Sequence, residues 1–303
     1  MSEAIKNRSE ILFLYDVKDA NPNGDPVDEN KPRIDEETGI NIVTDVRLKR
    51  TVRDYLSDYR KLEIFIKEIR DEKGNLITKE ARQASFSDDK ELINKCIDVR
   101  LFGATTAIKD KTMTLTGPVQ FKFGHSLHKV DLTYIKGTTV MPSGTEKKQG
   151  TFTEKYILYY SLIAFYGIVN ENAAASQNVN LTNDDIMLMC ESLWNGTKNL
   201  LSTSKAGQMP RLLLWVEHKE RNFHIGELDK MVKFVSDKED EQIRDISEGT
   251  LDITELVNRL KVNKEKISQI KFKFDDRLIL TYDNATISAK EIFDGFNSTE
   301  FAF

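Results

Sequence analysis

Four cationic side chains, Arg47, Lys49, Arg50 and Arg53, fall within seven residues that contain no acid. Such a cluster can neutralise phosphates, although a solvated helix face has the same composition. A second region, Val119 to Lys155, holds six lysines (122, 129, 136, 147, 148 and 155) against three acids, with His125 and His128 among them. On a strand, a spacing of three sends side chains to opposite faces, which argues against joint metal ligation by the two histidines. Asp25, Asp28, Asp35 and Asp45 crowd one stretch, and such a set of carboxylates can build a divalent-metal phosphodiesterase site. Each also has an ordinary explanation, as a turn residue, two surface loop residues and a helix cap. No Walker loop, G-x-G-x-x-G, G-x-S-x-G or H-E-x-x-H is present. Cys96 and Cys190 lie far apart without histidines at ligand spacing, so packing is their expected role and neither metal nor cofactor is expected.

The elements that must position these residues can be read from periodicity. Ile11 to Val17 reads as a buried strand, and Ala20 to Pro26, with two prolines and an Asn-Gly dipeptide, as a turn-rich segment. A loop of about twenty residues follows, longer than ordinary connectors, which suits a binding role or disorder. Thr44 or Asp45 caps a helix whose stripe is Leu48, Val52, Tyr55, Leu56, Tyr59 and Leu62. Lys49, Arg50, Arg53, Arg60 and Lys61 cluster on its other side. Arg47 sits in the first turn, beside amides that favour phosphate. Ile64 to Ile69 is β-rich, Asp71 to Asn75 looks like a turn into Leu76 to Thr78, and a helix covers Asp88 to Cys96. Gly117 to Phe123 is expected as a strand with Phe121 and Phe123 on one face and Lys122 on the other. His128 to Phe152 fits a projecting hairpin turning at Pro142 to Thr145, with Val140 and Met141 at its tip. Ile157 to Ile168 and Arg211 to Glu217 read as strands, separated by a helix from Thr182 to Leu193 that exits at Asn195-Gly196. The order strand, helix, strand, strand, helix, strand suggests an α+β sandwich with helices on one side of an antiparallel sheet.

The chain has 303 residues with 44 basic and 49 acidic side chains, a net charge of −5 and a mean hydropathy of −0.46, a globular composition. Its longest apolar run, Tyr156 to Val169, has 14 residues, shorter than the roughly 18 needed to span a membrane. With no signal-peptide pattern at the start, a cytoplasmic protein is expected. Residues 219–303 hold 14 basic and 18 acidic side chains, so −4 of the net −5 lies there. In this region helices are expected at Glu227 to Val235, Ile253 to Leu260 and Ala289 to Phe293, and a hairpin at Ile270 to Phe274 and Arg277 to Tyr282.

Several stretches together resemble one family. Asn21-Pro-Asn-Gly-Asp-Pro26, Pro32-Arg-Ile-Asp35 with Thr38-Gly39, and Val43-Thr-Asp-Val-Arg-Leu-Lys-Arg50 are similar to the opening of the backbone subunit of the type I CRISPR surveillance complex Cascade, particularly subtypes I-B and I-C. Asp98-Val-Arg-Leu-Phe-Gly103, Gly117-Pro118 running to Ser126, and Gln149-Gly-Thr-Phe-Thr153 match it too. The resemblance runs from about Ile11 to Glu217. It implies one globular unit with a modified ferredoxin-like, RNA-recognition-motif palm of the RAMP superfamily (about 8–62, 112–127 and 152–218). A finger and web insertion (63–111), a β-hairpin thumb (128–151) and the acidic C-terminal region (219–303) complete it. The implied partners are a CRISPR guide RNA, target DNA, further copies in a helical filament, and the large, five-prime-handle and small subunits, with no membrane.

The resemblance also implies site roles. Arg47, Lys49, Arg50 and Arg53 match the family's backbone-binding helix. Asn21, Asn23, Gly24 and Arg33 belong to the loops that meet the sugar-phosphate chain. Lys122, His125 and Lys129 would line the groove, with Lys147 and Lys148 on the thumb and Val140 and Met141 as its apolar wedge. No aromatic RNP1 pattern is present, so backbone contacts rather than base stacking are expected to dominate. Reversing Lys49 and Arg53 is then expected to weaken RNA binding for every sequence alike. Related subunits of type III complexes cut target RNA with a loop aspartate, and Asp25 lies in the comparable loop. The type I resemblance implies an inert subunit, and a metal-dependent endoribonuclease is the alternative. A third reading is an interaction module whose basic face meets an acidic protein.

Overall fold

The computed structural model describes residues 3–108, 111–138 and 152–303. The first apolar run lies within strand β1 (Ser9–Ala20), at the middle of a large mixed sheet. The other strands of that sheet among the described residues are β2 (Ile40–Val43), β3 (Val119–Phe121), β4 (Gly124–Lys129), β5 (Leu132–Thr138), β6 (Phe152–Val169), β7 (Met209–His218), β8 (Ile267–Phe274) and β9 (Ser298–Glu300). Their order is β9-β8-β7-β1-β6-β4-β2, and β3 and β5 also pair with the long β6. β1 runs antiparallel to both neighbours, with Phe13 opposite Phe165 on one side and Leu213 on the other.

Side-chain parity explains why these strands read as continuous apolar runs. Ile11, Phe13, Tyr15 and Val17 enter one core while Leu12 and Leu14 enter a second on the opposite face. β6 and β7 repeat the division, with Phe165 and Trp215 in the first core and Leu162 and Leu214 in the second. A strand covered on both faces has no solvent side and therefore no need of polar alternation.

Helix α1 (Asp45–Asp58) closes the first core with Leu48, Val52 and Leu56, alongside the short helices α2 (Lys79–Ala84), α3 (Asp89–Lys95) and α4 (Ile97–Phe102) and the long α5 (Asn183–Lys198). Thr44 and Thr182 are the side-chain caps of α1 and α5, which fixes where each begins. The Asn195-Gly196 pair does not end α5 as expected. Gly196 lies inside the helix because α1 crosses there: an added Cβ would sit 3.0 Å from the Cβ of Tyr55.

Helices on one side of the sheet are only half of the architecture. The acidic segment covers the other face with a small four-stranded sheet and helix α6 (Thr254–Val262), burying Leu228, Ile246, Leu251, Leu256 and Leu280 in the second core. Residues Glu227 to Val235 form a 3-10 turn and a short strand rather than a helix. The expected hairpin at 270–282 is also absent: β8 pairs with the open edge of β7, while Leu280–Tyr282 joins the small sheet. Two buried polar groups fasten this cover. Arg211 bonds Asp16 at 2.9 Å and also Asp275. Glu10 accepts from Tyr166 Oη and from the amides of Ile225 and Gly226, each at 2.7 Å, and meets His218 Nε2 at 2.7 Å.

Burial pushes the Glu10 carboxyl up, but its hydrogen bonds outweigh that and hold it below the ordinary 4.5. A depressed carboxyl stabilises the fold above its unfolded value and loses that contribution as pH falls through the folded one. Glu10→Gln is therefore expected to flatten the acid limb of stability below about pH 4.5, measured by urea unfolding across pH; an acid limb identical to the parent's would refute the assignment.

Other departures are local. Residues 64–69 form no strand, and Arg70 and Leu76 make only an isolated bridge. Strand β3 stops at Phe121, and Phe123 is 50% exposed rather than sharing its face. The long connector after β1 is ordered, with a miniature hairpin pairing Gly24–Asp25 to Lys31–Pro32. β5 and the start of β6 pair as the arms of the expected hairpin, Thr138 opposite Phe152; its turn at Pro142 to Thr145 lies outside the described residues. Helix α4 ends at Gly103, whose φ of 75° is open only to glycine and whose added Cβ would meet Leu115 O at 2.1 Å. Gly103→Ala should cost about 2–4 kcal/mol in chemical denaturation, and a loss below about 0.5 would show that this junction relaxes freely. Among the described residues no helix is long and apolar enough to cross a membrane.

Candidate nucleic-acid interface

Thr44 sets the start of α1, its Oγ1 accepting from Arg47 N at 3.3 Å. Asn23 holds Thr44 in turn, its Oδ1 accepting from the amide and the hydroxyl of Thr44 at 2.8 Å each. Beside this helix start opens a cleft of about 640 Å³, walled by α1 on one side and residues 65–82 on the other. Arg47, Arg50, Arg53, Lys67, Lys79 and Arg82 line it, with Glu68 as its acid. Val46, Phe65, Ile66 and Ile77 supply an apolar floor, and Val46 is 66% exposed.

Asp98 holds the two walls together. Fully buried, it accepts from Arg53 Nε at 3.0 Å and from the amides of Phe65 and Ile66 at 2.8 and 3.1 Å. The matched stretch Asp98 to Gly103 therefore acts as a brace, with Arg100 tied to Asp185 of α5 at 2.7 Å.

The four helix cations divide. Arg47 is half-buried, donates to Thr51 Oγ1 at 2.8 Å, and has no carboxylate within ion-pair distance among the described residues. Arg50 is exposed and pairs with Asp54 at 2.7 Å. Lys49 is held by Asp45 at 2.8 Å over the Phe102 ring. Arg53 is not on an open face: it is buried, with Nε committed to Asp98 and its guanidinium 5.4 Å from the same ring. Helical periodicity placed it opposite the stripe, but α4 covers that side. Reversing Arg53 would thus break the brace rather than report on binding.

The loop residues divide as well. Asn23 lines the cleft, whereas Asn21 is buried, donating through Nδ2 to Asn30 O at 2.7 Å and through its amide to Ser204 O at 2.8 Å. Its side chain does not face outward as expected. Gly24 pairs with Pro32, and Arg33 bonds Asp25 at 2.5 Å while its carbonyl accepts from Ile42 N. The four early carboxylates do not converge. Asp25 has Arg33, Asp28 has Lys31, Asp35 has Thr38 and Asp45 has Lys49. Among the described residues no three metal-ligating side chains come together.

His125 and Lys129 are exposed on β4, opposite Ile42 and Ile40 of the edge strand that leads into α1. His128 is buried against Tyr160 at 5.5 Å, and burial lowers its pKa. Lys122 does not join this strip: it lies over Tyr166 with Asp229 at 3.6 Å and Glu227 at 3.8 Å, neutralised by the acidic segment. Lys147, Lys148, Val140 and Met141 lie outside the described residues.

The second core also closes the sheet face opposite the helices, where Tyr160, Tyr166 and Phe272 are buried. Bases cannot stack on a face that is already packed. Sequence reading missed Lys67, Lys79 and Arg82 because acids alternate with them along the chain; tertiary packing places them in the cleft, where Glu63 holds Lys67 and Arg82 and Thr105 O accepts from Lys79.

An α+β chain with a cationic cleft between its first helix and residues 65–82 is the class this geometry defines. Residues 7–254 match the family model described as CRISPR-associated protein Cas7. A protein of that name from Haloferax volcanii is 34% identical over 316 residues, spanning 94% of this chain and 92% of that one. Two solved chains have a similar fold. One, from a "CRISPR RNA-guided surveillance complex", has a TM-score of 0.50 at 16% identity, covering 92% of this chain and 95% of that chain. The other, from a "CRISPR RNA-guided surveillance complex, pre-nicking", has a TM-score of 0.51 at 11% identity, covering 91% and 96%. The chain belongs to the CRISPR-associated protein Cas7 family.

Proposed function

We propose that this protein is the guide-RNA-holding backbone subunit of a type I CRISPR surveillance complex, acting in the cytoplasm without catalysis of its own. Copies polymerise along one guide, bind the other Cascade subunits, and present the guide for pairing with target DNA. The observation that carries the reading is the cleft beside α1, lined by six cations, of which Arg50, Arg53, Lys67 and Arg82 are held by Asp54, Asp98 and Glu63 while Arg47 at the helix start has no carboxylate partner among the described residues. A guide must be held whatever its spacer, which calls for phosphate contacts rather than base-edge contacts. The strand order β7-β1-β6-β4, all antiparallel with α1 and α5 on one face, supports a ferredoxin-like palm, and the paired arms of β5 and β6 support a thumb. The closed sheet face favours backbone contacts over stacking. The Arg33 partner of Asp25 favours a structural over a catalytic role for that carboxylate.

The test is sequencing of nucleic acid that copurifies with the chain from a host expressing a CRISPR array, together with affinities for two guides of unrelated spacer. Repeat-derived RNA and equal affinities are expected, with a log–log salt slope of about −3 to −4 for four to six phosphate contacts. Absence of RNA, or magnesium-dependent cutting abolished by Asp25→Asn, would defeat the proposal.

A further inference from the structure

Residues 152–157 of β6 pair with β5 and with no other strand among the described residues; the join with β1 begins at Leu158. A two-stranded ribbon is marginal in water by itself, so its direction must come from what packs on its faces. Pairing puts Tyr134 opposite Tyr156 on one face, their rings 5.0 Å apart, and Ile135 opposite Lys155 on the other. Both faces are gripped. Tyr156 Oη donates to Glu29 Oε2 at 2.8 Å, and Lys31 Nζ lies 5.4 Å from the centre of the Tyr156 ring and 3.8 Å from Glu29. On the opposite face Lys155 Nζ donates to Thr203 O at 3.2 Å, in the loop between α5 and β7. The two grips are joined, since Ser204 O accepts from the Asn21 amide at 2.8 Å. Glu29 and Lys31 belong to the miniature hairpin, where Glu29 and Asn30 have φ of 47° and 60°, left-handed values uncommon outside glycine. Such a turn persists only where its surroundings fix it: Asp25 O accepts from Asn30 N at 2.8 Å, and Asn21 Nδ2 donates to Asn30 O at 2.7 Å. At its other end the same stretch holds the start of α1, through Asn23 Oδ1 and Thr44. One braced turn therefore reaches both the cleft and the ribbon.

We propose that residues 21–32 are a strut that sets the direction of the β5–β6 ribbon relative to the start of α1, with Tyr156 as the positioning residue through which it acts. The proposal rests on the RNA-holding reading above for its consequence: a ribbon already fixed in the binding direction loses less freedom when RNA is bound. Tyr156 acts without a phosphate contact of its own, which separates it from the cleft cations.

Nitroxide labels at Thr138→Cys on β5 and Asp58→Cys at the end of α1 report the ribbon direction in the full chain, because Cys96 and Cys190 are buried and stay unlabelled. By electron–electron double resonance the parent should give one narrow distance distribution, and Tyr156→Leu and Glu29→Ala a broad one. Glu29→Gln, which makes the same change of charge but keeps an acceptor oxygen, should be narrow again. Without the labels, Tyr156→Leu and Glu29→Ala should weaken two unrelated guide RNAs about three- to tenfold by lowering the binding-competent fraction, with the salt slope unchanged because no phosphate contact is lost. Their thermal midpoints should stay within about 2 °C of the parent's. A residue that only supports the fold would move the midpoint along with the affinity, and a phosphate ligand would move the slope. Distributions identical to the parent's refute the strut, and broadened distributions with unchanged affinity refute its positioning role. If the parent binds no RNA, the RNA-holding reading fails while the distances still decide the strut.

Discussion

Asp98→Ala lowers the stability of the chain by about 3–5 kcal/mol, because it strands a buried arginine, the buried amide of Phe65 and the partly buried amide of Ile66 at once. The carboxylate has no exposed surface and serves Arg53 Nε, Phe65 N and Ile66 N. Removing it leaves the guanidinium of Arg53 buried without a counter-charge. It also leaves the 65–66 backbone without acceptors in a segment that has no strand pairing of its own. Against total stabilities of about 5–15 kcal/mol, the loss is large enough to read as a shifted urea midpoint. Asp98→Asn, which keeps an acceptor oxygen but no charge, should lose less. A cost below about 1 kcal/mol for the alanine variant would mean that Asp98 does not join the cleft walls.

Arg47→Glu combined with Arg50→Glu is expected to weaken guide RNA binding by on the order of 100-fold or more, and by the same factor for unrelated spacers. Each reversal should also reduce the magnitude of the single-strand salt slope by about 0.7. This pair replaces Lys49 and Arg53, the pair that the family resemblance suggests, because stability and binding separate here. Arg47 has no carboxylate to lose among the described residues, and Arg50 has only the surface partner Asp54, a contact worth about 0–1 kcal/mol. Fluorescence anisotropy with two guides and a thermal melt on the same samples make the comparison. A loss confined to one spacer would mean that base edges, not phosphates, are being read.

What the sequence made legible is the part of the fold governed by local period and chemistry. The apolar runs of β1, β6 and β7, the Thr44 cap and stripe of α1 and the start of α5 at Thr182 all follow from rules that need no distant partner. Partner choice is what stayed hidden. Arg53 looks like a surface cation until Asp98, 45 positions later, is brought against it. Lys122 looks like a groove residue until Glu227 and Asp229 arrive more than a hundred positions on. Alternation in Ile270 to Phe274 reports a strand but not whether its partner is the nearest downstream segment or the free edge of β7. The same limit applied to the site: the helix half of the cleft was visible as a run of charge, while Lys67, Lys79 and Arg82 belong to it only through tertiary packing.

Photocrosslinking of the purified ribonucleoprotein, read by mass spectrometry of the nucleotide-bearing peptides, reaches the core of this account in one step. Adducts should concentrate in peptides covering 44–53 and 65–82 and be the same for guides of unrelated spacer. Adducts confined to the acidic segment or to other surfaces, with the cleft peptides unmodified, would contradict it.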